Sequence, residues 1–252
     1  MTVFDQQIAV RDKKGAAYWV LLDPDKLPLD KIPDFVKKAK TAKVDGFLIG
    51  GSLILSSDFE KFVAELKQHN HTIPVILFPG SVHQITPHAD AMLFLSLISG
   101  REAQHLIGSQ VLAAPLVYRT GIEAISTAYM LLDSGRPTSA HFMSGTMPIP
   151  RDKPDIVVAH ALAAQYLGFK LIYLEGGSGS DLTIPNEVIA AVSKTCQLPI
   201  IVGGGIKTPE VAAEKVHAGA SFIVTGNIIE TAGGVELMSE MARAIHTGKQ
   251  PI

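Results

Sequence analysis

Cysteine is nearly absent from this 252-residue chain: Cys196 stands alone. A single thiol excludes an intramolecular disulfide, so the fold must hold by packing, and the expected compartment is a reducing one. Cys196 falls near the end of a helical segment, where an inert thiol is the expectation and a nucleophile is not. An excess of charge of one sign is also missing. The 22 Lys and Arg residues face 24 Asp and Glu, for a net charge of −2. That balance removes the general electrostatic case for nucleic acid or an anionic membrane, and Lys13-Lys14 and Lys37-Lys38 read as solvated pairs. No apolar run approaches the roughly 20 residues that a spanning helix needs. The longest, Ala91 to Ile98, is interrupted by Ser96 and suits a buried strand. Met1 to Lys14 carries charges throughout, without the apolar centre of a signal peptide. A cytoplasmic protein with no transmembrane segment is the expectation. The sequence also lacks a nucleophile elbow and a Walker loop, and its 9 histidines show no metal-ligand spacing.

What is present is a repeating unit: an apolar strand, a small or polar loop, then an amphipathic helix. Apolar residues make up 47% of the chain, enough to bury a full core. Eight strands are predicted, at 17–22, 46–49, 74–78, 91–98, 139–143, 171–174, 200–202 and 222–224. Helical spacing appears in Phe35, Val36, Ala39 and Ala42, in Phe59, Phe62, Val63 and Leu66 after a Ser57–Glu60 capping box, and in Ile122, Ile125, Tyr129 and Leu132. Further helices are expected over 101–110, over 155–167, near Pro185, from Thr208-Pro209 to Gly219, and at the C-terminus. Pro79 to Asp90 shows weak periodicity, so a regular helix after strand three is doubtful. Strands too apolar for a solvated face, alternating with helices, imply a parallel sheet covered on its outer side. Eight repeats close into a single-domain α/β TIM barrel over residues 1–252, and a doubly wound sheet lacks the early dinucleotide fingerprint it would need.

In such a barrel the chemistry lies at the C-terminal strand ends. Three of those ends run into glycine: Tyr173-Leu174-Glu175-Gly176-Gly177-Ser178-Gly179, Gly203-Gly204-Gly205, and Gly226-Asn227. Backbone that converges on an anion needs glycine, because a Cβ would keep the N–H groups apart, and a helix N-terminus adds a favourable dipole. These junctions read as one phosphate cradle with Glu175 beside it. Tight turns alone are the plain alternative, an equal reading for any one cluster and disfavoured for three. Asp23, ending strand one, and Ser52, after Gly50-Gly51, form a carboxylate–hydroxyl pair suited to Mg²⁺; a helix cap is an equal reading of Asp23. A sugar-phosphate isomerase or lyase using Asp23 and Glu175 as an acid–base pair is a second functional reading, and a non-catalytic binder of phosphate metabolites a third.

Taken together, Leu22-Asp23-Pro24-Asp25-Lys26, Ile49-Gly50-Gly51-Ser52, Tyr173 to Gly179, Gly203-Gly204-Gly205-Ile206 and Gly226-Asn227 resemble the geranylgeranylglyceryl phosphate synthases, in order and over nearly the whole chain. The Glu-Gly-Gly-Ser-Gly form is similar to the branch called group II. The resemblance implies a modified TIM barrel lacking a regular third helix and a Mg²⁺-dependent prenyltransferase. It would join the 3-hydroxyl of sn-glycerol 1-phosphate to a polyprenyl diphosphate, here geranylgeranyl diphosphate, in ether-lipid biosynthesis. It assigns the metal to Asp23 and Ser52, and glycerol 1-phosphate to Tyr173, Leu174, Glu175, Gly176, Gly177, Ser178, Gly179, Gly204, Gly205, Gly226 and Asn227. Glu175 becomes the catalytic group, and a homo-oligomer, hexamer or dimer, is implied. Leu21 departs from relatives with lysine there, so the diphosphate contacts are expected to differ, with Lys26 and Arg101 as candidates.

Overall fold

Strands that are apolar on both faces are stable only when both faces are covered, and the fold covers them. The computed structural model describes residues 1–56, 58–226 and 234–246. Its strands are β1 (Ala17–Leu22), β2 (Gly46–Ile49), β3 (Val75–Leu77), β4 (Ala91–Leu97), β5 (Glu123–Leu131), β6 (Leu171–Glu175), β7 (Ile200–Gly203) and β8 (Phe222–Thr225). They pair in parallel, in chain order, and β8 returns to β1 to close the barrel. Alternate residues divide the apolar set in two. Trp19, Leu48, Ile76, Leu93, Ile125, Tyr173, Ile201 and Val224 fill the barrel interior. Tyr18, Val20, Leu22, Phe47, Ile49, Leu174, Val202 and Ile223 face outward under the helices.

The outer ring contains α2 (Ile32–Thr41), α3 (Phe59–His69), α4 (Ser109–Thr120), α6 (Pro154–Tyr166), α7 (Asn186–Thr195), α8 (Pro209–His217) and α9 (Gly234–Ile245), with α1 (Val3–Lys14) preceding the barrel and the short α5 (Ser139–Ser144) at its mouth. α3 buries Phe59, Phe62, Val63 and Leu66, the predicted stripe. Of its predicted capping box, Ser57 lies outside the described residues, and Asp58 is the N-cap without a side-chain bond. α8 begins as expected, with Thr208 accepting from the Val211 N–H and Pro209 in the first turn. Between β3 and β4 stands only a short 3₁₀ turn, Val82–Gln84, so the third helix is missing as foreseen.

α1, unforeseen, closes the bottom of the barrel. Val3, Phe4 and Ile8 pack against the interior cluster. Gln7 accepts from Trp19 Nε1 at 2.6 Å and donates to the Asp45 carbonyl at 3.1 Å. Asp45 gathers the Tyr18 N–H, Lys14 and His246 around one buried carboxylate. Burial alone would raise that carboxyl, but His246 and Lys14 outweigh it and hold it below its ordinary value.

The middle of the chain departs from expectation. The stretch read as a helix around Ile122 to Leu132 is β5, and 139–143, read as strand five, is the short helix α5, which carries His141. Ile125 and Tyr129 point into the barrel while Ala128, Met130 and Leu132 point out. A strand buried on both faces has no single alternation, and its apolar residues fell by chance at helical spacing. The expected helix over 101–110 is a π-helical turn, Gln104–Gly108, and the regular helix follows it as α4. α4 has no buried stripe beyond Ala113 and Val117, and Pro115 sits inside it.

Candidate active site

Barrel closure brings the predicted strand ends to one mouth. Asp23, Lys26, Gly50, Gly51, Ser52, Glu175, Gly177, Ser178, Gly179, Gly204, Gly205 and Gly226 line a single cavity there, with Leu21 among them. Asn227 lies outside the described residues. Leu174 faces the outer core and is not among the residues lining the cavity. Tyr173 lies beneath, fully buried, and Gly176 bonds through its N–H to the Gly203 carbonyl at 3.0 Å. Arg101 is elsewhere: its guanidinium donates to the carbonyls of Ser99 and Gly100. Asp25 pins the β2–α3 loop by accepting from the N–H groups of Leu55 at 2.7 Å and Ser56 at 2.8 Å.

The glycine loops touch backbone to backbone. A Cβ on Gly204, whose φ is +92°, would stand 2.8 Å from Gly176 Cα and from the Gly177 nitrogen. A Cβ on Gly177 would stand 2.4 Å from the Thr138 side chain, which caps α5. Two buried hydroxyls in this cradle, Tyr173 Oη and Ser180 Oγ, have no hydrogen-bond partner among the described residues. Unpaired buried polar atoms are costly, and these two stand against the glycine loops, Tyr173 Oη at Gly203 and Ser180 Oγ at Gly205.

Glu175 ends β6, paired with Leu131 and Gly203, and is 6% exposed. Its carboxylate accepts from the Gly177 N–H. Burial drives its pKa from 4.5 to about 7, against the pull of the Gly177 N–H and the nearby Tyr173 hydroxyl, which approaches without completing a bond of its own. The same carboxylate adds to the burial that pushes the phenols of Tyr173 and Tyr129 well up. Phe78 stacks on Tyr173 with centroids 5.1 Å apart, and Tyr129 tilts against both rings.

A second cavity opens where the third helix would have stood. It is lined by apolar side chains of the 79–90 segment, β4 and α4, including Val82, Ile85, Met92, Phe94, Leu97 and Ala113. Gly51, Ser52, Phe78, Tyr129 and Ala140 line both cavities, so the apolar groove and the glycine cradle meet at that wall. The groove and the aromatic wall were invisible in the sequence, because their residues read as ordinary strand and loop apolars.

Asp23 and Ser52 face the same cavity, and the described residues hold no group of three or more His, Cys, Asp or Glu able to chelate a metal. One carboxylate and one hydroxyl do not make a protein cage. They fit an octahedral Mg²⁺ that keeps waters and takes its other ligands from substrate phosphate.

Comparison with known proteins agrees with this geometry. Residues 8–248 match the PcrB family. A geranylgeranylglyceryl phosphate synthase of Spirosoma linguale is 44% identical over 94% of both chains. A crystal structure of (S)-3-O-geranylgeranylglyceryl phosphate synthase from Thermoplasma acidophilum, in complex with sn-glycerol-1-phosphate, superposes with a TM-score of 0.91 at 35% identity, covering 98% of this chain and 99% of that one. The Thermoplasma volcanium enzyme does so at 0.93 and 32%, over the full length of both. Barrels such as a Pyrococcus furiosus thiamine phosphate pyrophosphorylase, at 12% identity and a TM-score of 0.61, share the fold alone. The chain thus belongs to the PcrB family, that of the geranylgeranylglyceryl phosphate synthases, and is a prenyltransferase.

Proposed function

We propose that the chain transfers a geranylgeranyl group from its diphosphate to the 3-hydroxyl of sn-glycerol 1-phosphate, with Mg²⁺ at the donor end. The observation that carries this reading is the meeting of an apolar groove with a glycine cradle beside one buried carboxylate. The groove takes the prenyl tail. The cradle, with Ser178 and the unpaired hydroxyls of Tyr173 and Ser180, takes glycerol phosphate. Asp23 and Ser52 hold the metal, whose chemistry is charge neutralisation on the leaving diphosphate. Lys26, at the same mouth, adds positive charge to that end.

Ionisation breaks the C1–O bond of the donor and leaves the electron pair on diphosphate. The 3-hydroxyl then forms the new C–O bond and gives its proton to Glu175. A carboxylate with a pKa of about 7 is well matched to that transfer near neutral pH. The faces of Phe78 and Tyr129 border the point where positive charge develops. A sugar-phosphate isomerase would leave the apolar groove without a use.

A homo-oligomer belongs to the same proposal. α4 exposes Val111, Leu112 and Tyr118, and α6 exposes Tyr166, faces that a second copy would cover.

The test is to incubate the protein with sn-glycerol 1-phosphate, Mg²⁺ and a donor series from farnesyl to heptaprenyl diphosphate, and to identify products by mass spectrometry. The ether product from the geranylgeranyl donor, lost with EDTA, is expected. Turnover of a sugar phosphate without donor or metal would refute the reading.

A further inference from the structure

The segment that replaces the third helix crosses the top of the neighbouring loop, where its closest approach is unusual. A Cβ on Gly50 would lie 2.0 Å from the Phe78 carbonyl oxygen, and one on Gly80 would lie 2.3 Å from the Gly51 carbonyl oxygen. Glycine at these positions lets the β2 and β3 loops meet backbone against backbone. Into this contact the chain inserts one side chain, Gln84, at the end of the 3₁₀ turn and 4% exposed. Its Oε1 accepts from the Gly80 N–H at 3.0 Å and from the Gly51 N–H at 3.3 Å. Its Nε2 donates to the Gly51 carbonyl at 2.9 Å. One carboxamide therefore pairs with both backbone polar groups of Gly51, as an adjacent strand would.

Gly50-Gly51 is otherwise a permissive hinge, and the next residue is Ser52. From these contacts we infer that Gln84 is a positioning residue for the donor end of the site: it fixes Gly51 and thereby the Ser52 hydroxyl. The inference rests on the reading of Ser52 as part of the Mg²⁺–diphosphate end. It also ties that end to the groove, since Val82 and Ile85, flanking Gln84, line the apolar wall and Gly51-Ser52 lines both cavities. Among the described residues, the hydrogen bonds of the Gln84 carboxamide go to Gly51 and Gly80, and none goes to the glycerol phosphate cradle built on β6 and β7.

A carboxamide supplies a donor and an acceptor in this arrangement, which a thioether or an ionised carboxylate does not. Gln84→Met keeps the length and loses all three bonds. Gln84→Glu keeps the shape but sets a carboxylate oxygen against the Gly51 carbonyl. Calorimetry with inorganic diphosphate plus Mg²⁺, and separately with sn-glycerol 1-phosphate, reads the two ends. Both variants should bind diphosphate about tenfold or more weakly, the range for a residue that orients a metal ligand, and glycerol phosphate within about twofold of wild type. Ser52→Ala should cost less in the Gln84→Met background than alone. Unchanged diphosphate affinity, or a parallel loss of glycerol phosphate, would overturn the inference. Hydrogen–deuterium exchange without ligands separates it from the functional reading. Faster exchange over 50–53, with 173–180 unchanged, is expected in both variants. Unchanged exchange over 50–53 refutes the role of Gln84, whereas a wild type that binds no diphosphate refutes the donor site itself.

Discussion

The carboxylate that makes the site useful should also destabilise the protein, and that cost can be measured. Glu175 has an ordinary pKa of 4.5 in the unfolded chain and about 7 when folded, because burial disfavours its ionised form. Below the lower value both states are protonated and nothing is lost. Between the two values the unfolded state has released its proton while the folded state keeps it, so stability falls as pH rises, and it levels off once pH passes the higher value. The difference corresponds to about 3 kcal/mol against ionised Glu175. Glu175→Gln removes the charge, and its amide oxygen can still accept from the Gly177 N–H. The variant should match wild type near pH 4.5 and exceed it at pH 8.5 by up to about 3 kcal/mol, roughly 6 °C or more in Tm for a chain of this size. Calorimetric or fluorescence melts at both pH values, without ligands, read this directly. A variant no more stable than wild type at pH 8.5 would refute the argument that burial sets the ionisation of Glu175.

Gly204→Ala forces a Cβ into the Gly176–Gly177 backbone at a φ of +92°, so sn-glycerol 1-phosphate binding should fall by about tenfold or more, as read by calorimetry. Asp23→Asn should abolish the response of the reaction to Mg²⁺ while leaving glycerol phosphate affinity within about twofold. At the barrel floor, Asp45→Asn should lower Tm at pH 7. Its penalty should shrink in acid, because a carboxyl held below its ordinary value loses its contribution as pH falls through its folded pKa. Leu112→Lys on α4 or Tyr166→Lys on α6 should shift sedimentation velocity towards a smaller species; no change in either would remove these faces from the proposed assembly.

The two ends of the fold were legible because their patterns were unambiguous. β1 and β2, and the units from Leu171 onward, put an apolar strand before a glycine or aspartate and then an amphipathic helix. The close packing of the glycine loops was legible because backbone approach leaves glycine as its only signature, and the contacts of Gly204 with Gly176 and Gly177 show that approach. β5 and α4 were not legible. A strand buried on both faces and a helix with apolar residues on its exposed side both lack the one-sided periodicity from which elements are read. The groove was hidden for another reason. It exists because the helix that a regular barrel carries after β3 is missing, and the absence of a helix names no lining residues. Gln84 gave no signal either, since a glutamine beside an irregular turn reads as solvated until the contact with Gly51 is seen.

The central claim is that Glu175 serves bond formation at the meeting of groove and cradle. The most direct measurement is product formation by Glu175→Gln under single-turnover conditions, with geranylgeranyl diphosphate, Mg²⁺ and sn-glycerol 1-phosphate, alongside calorimetric binding of the acceptor. The account predicts acceptor binding close to wild type and no ether product. Ether formation at the wild-type rate would contradict it.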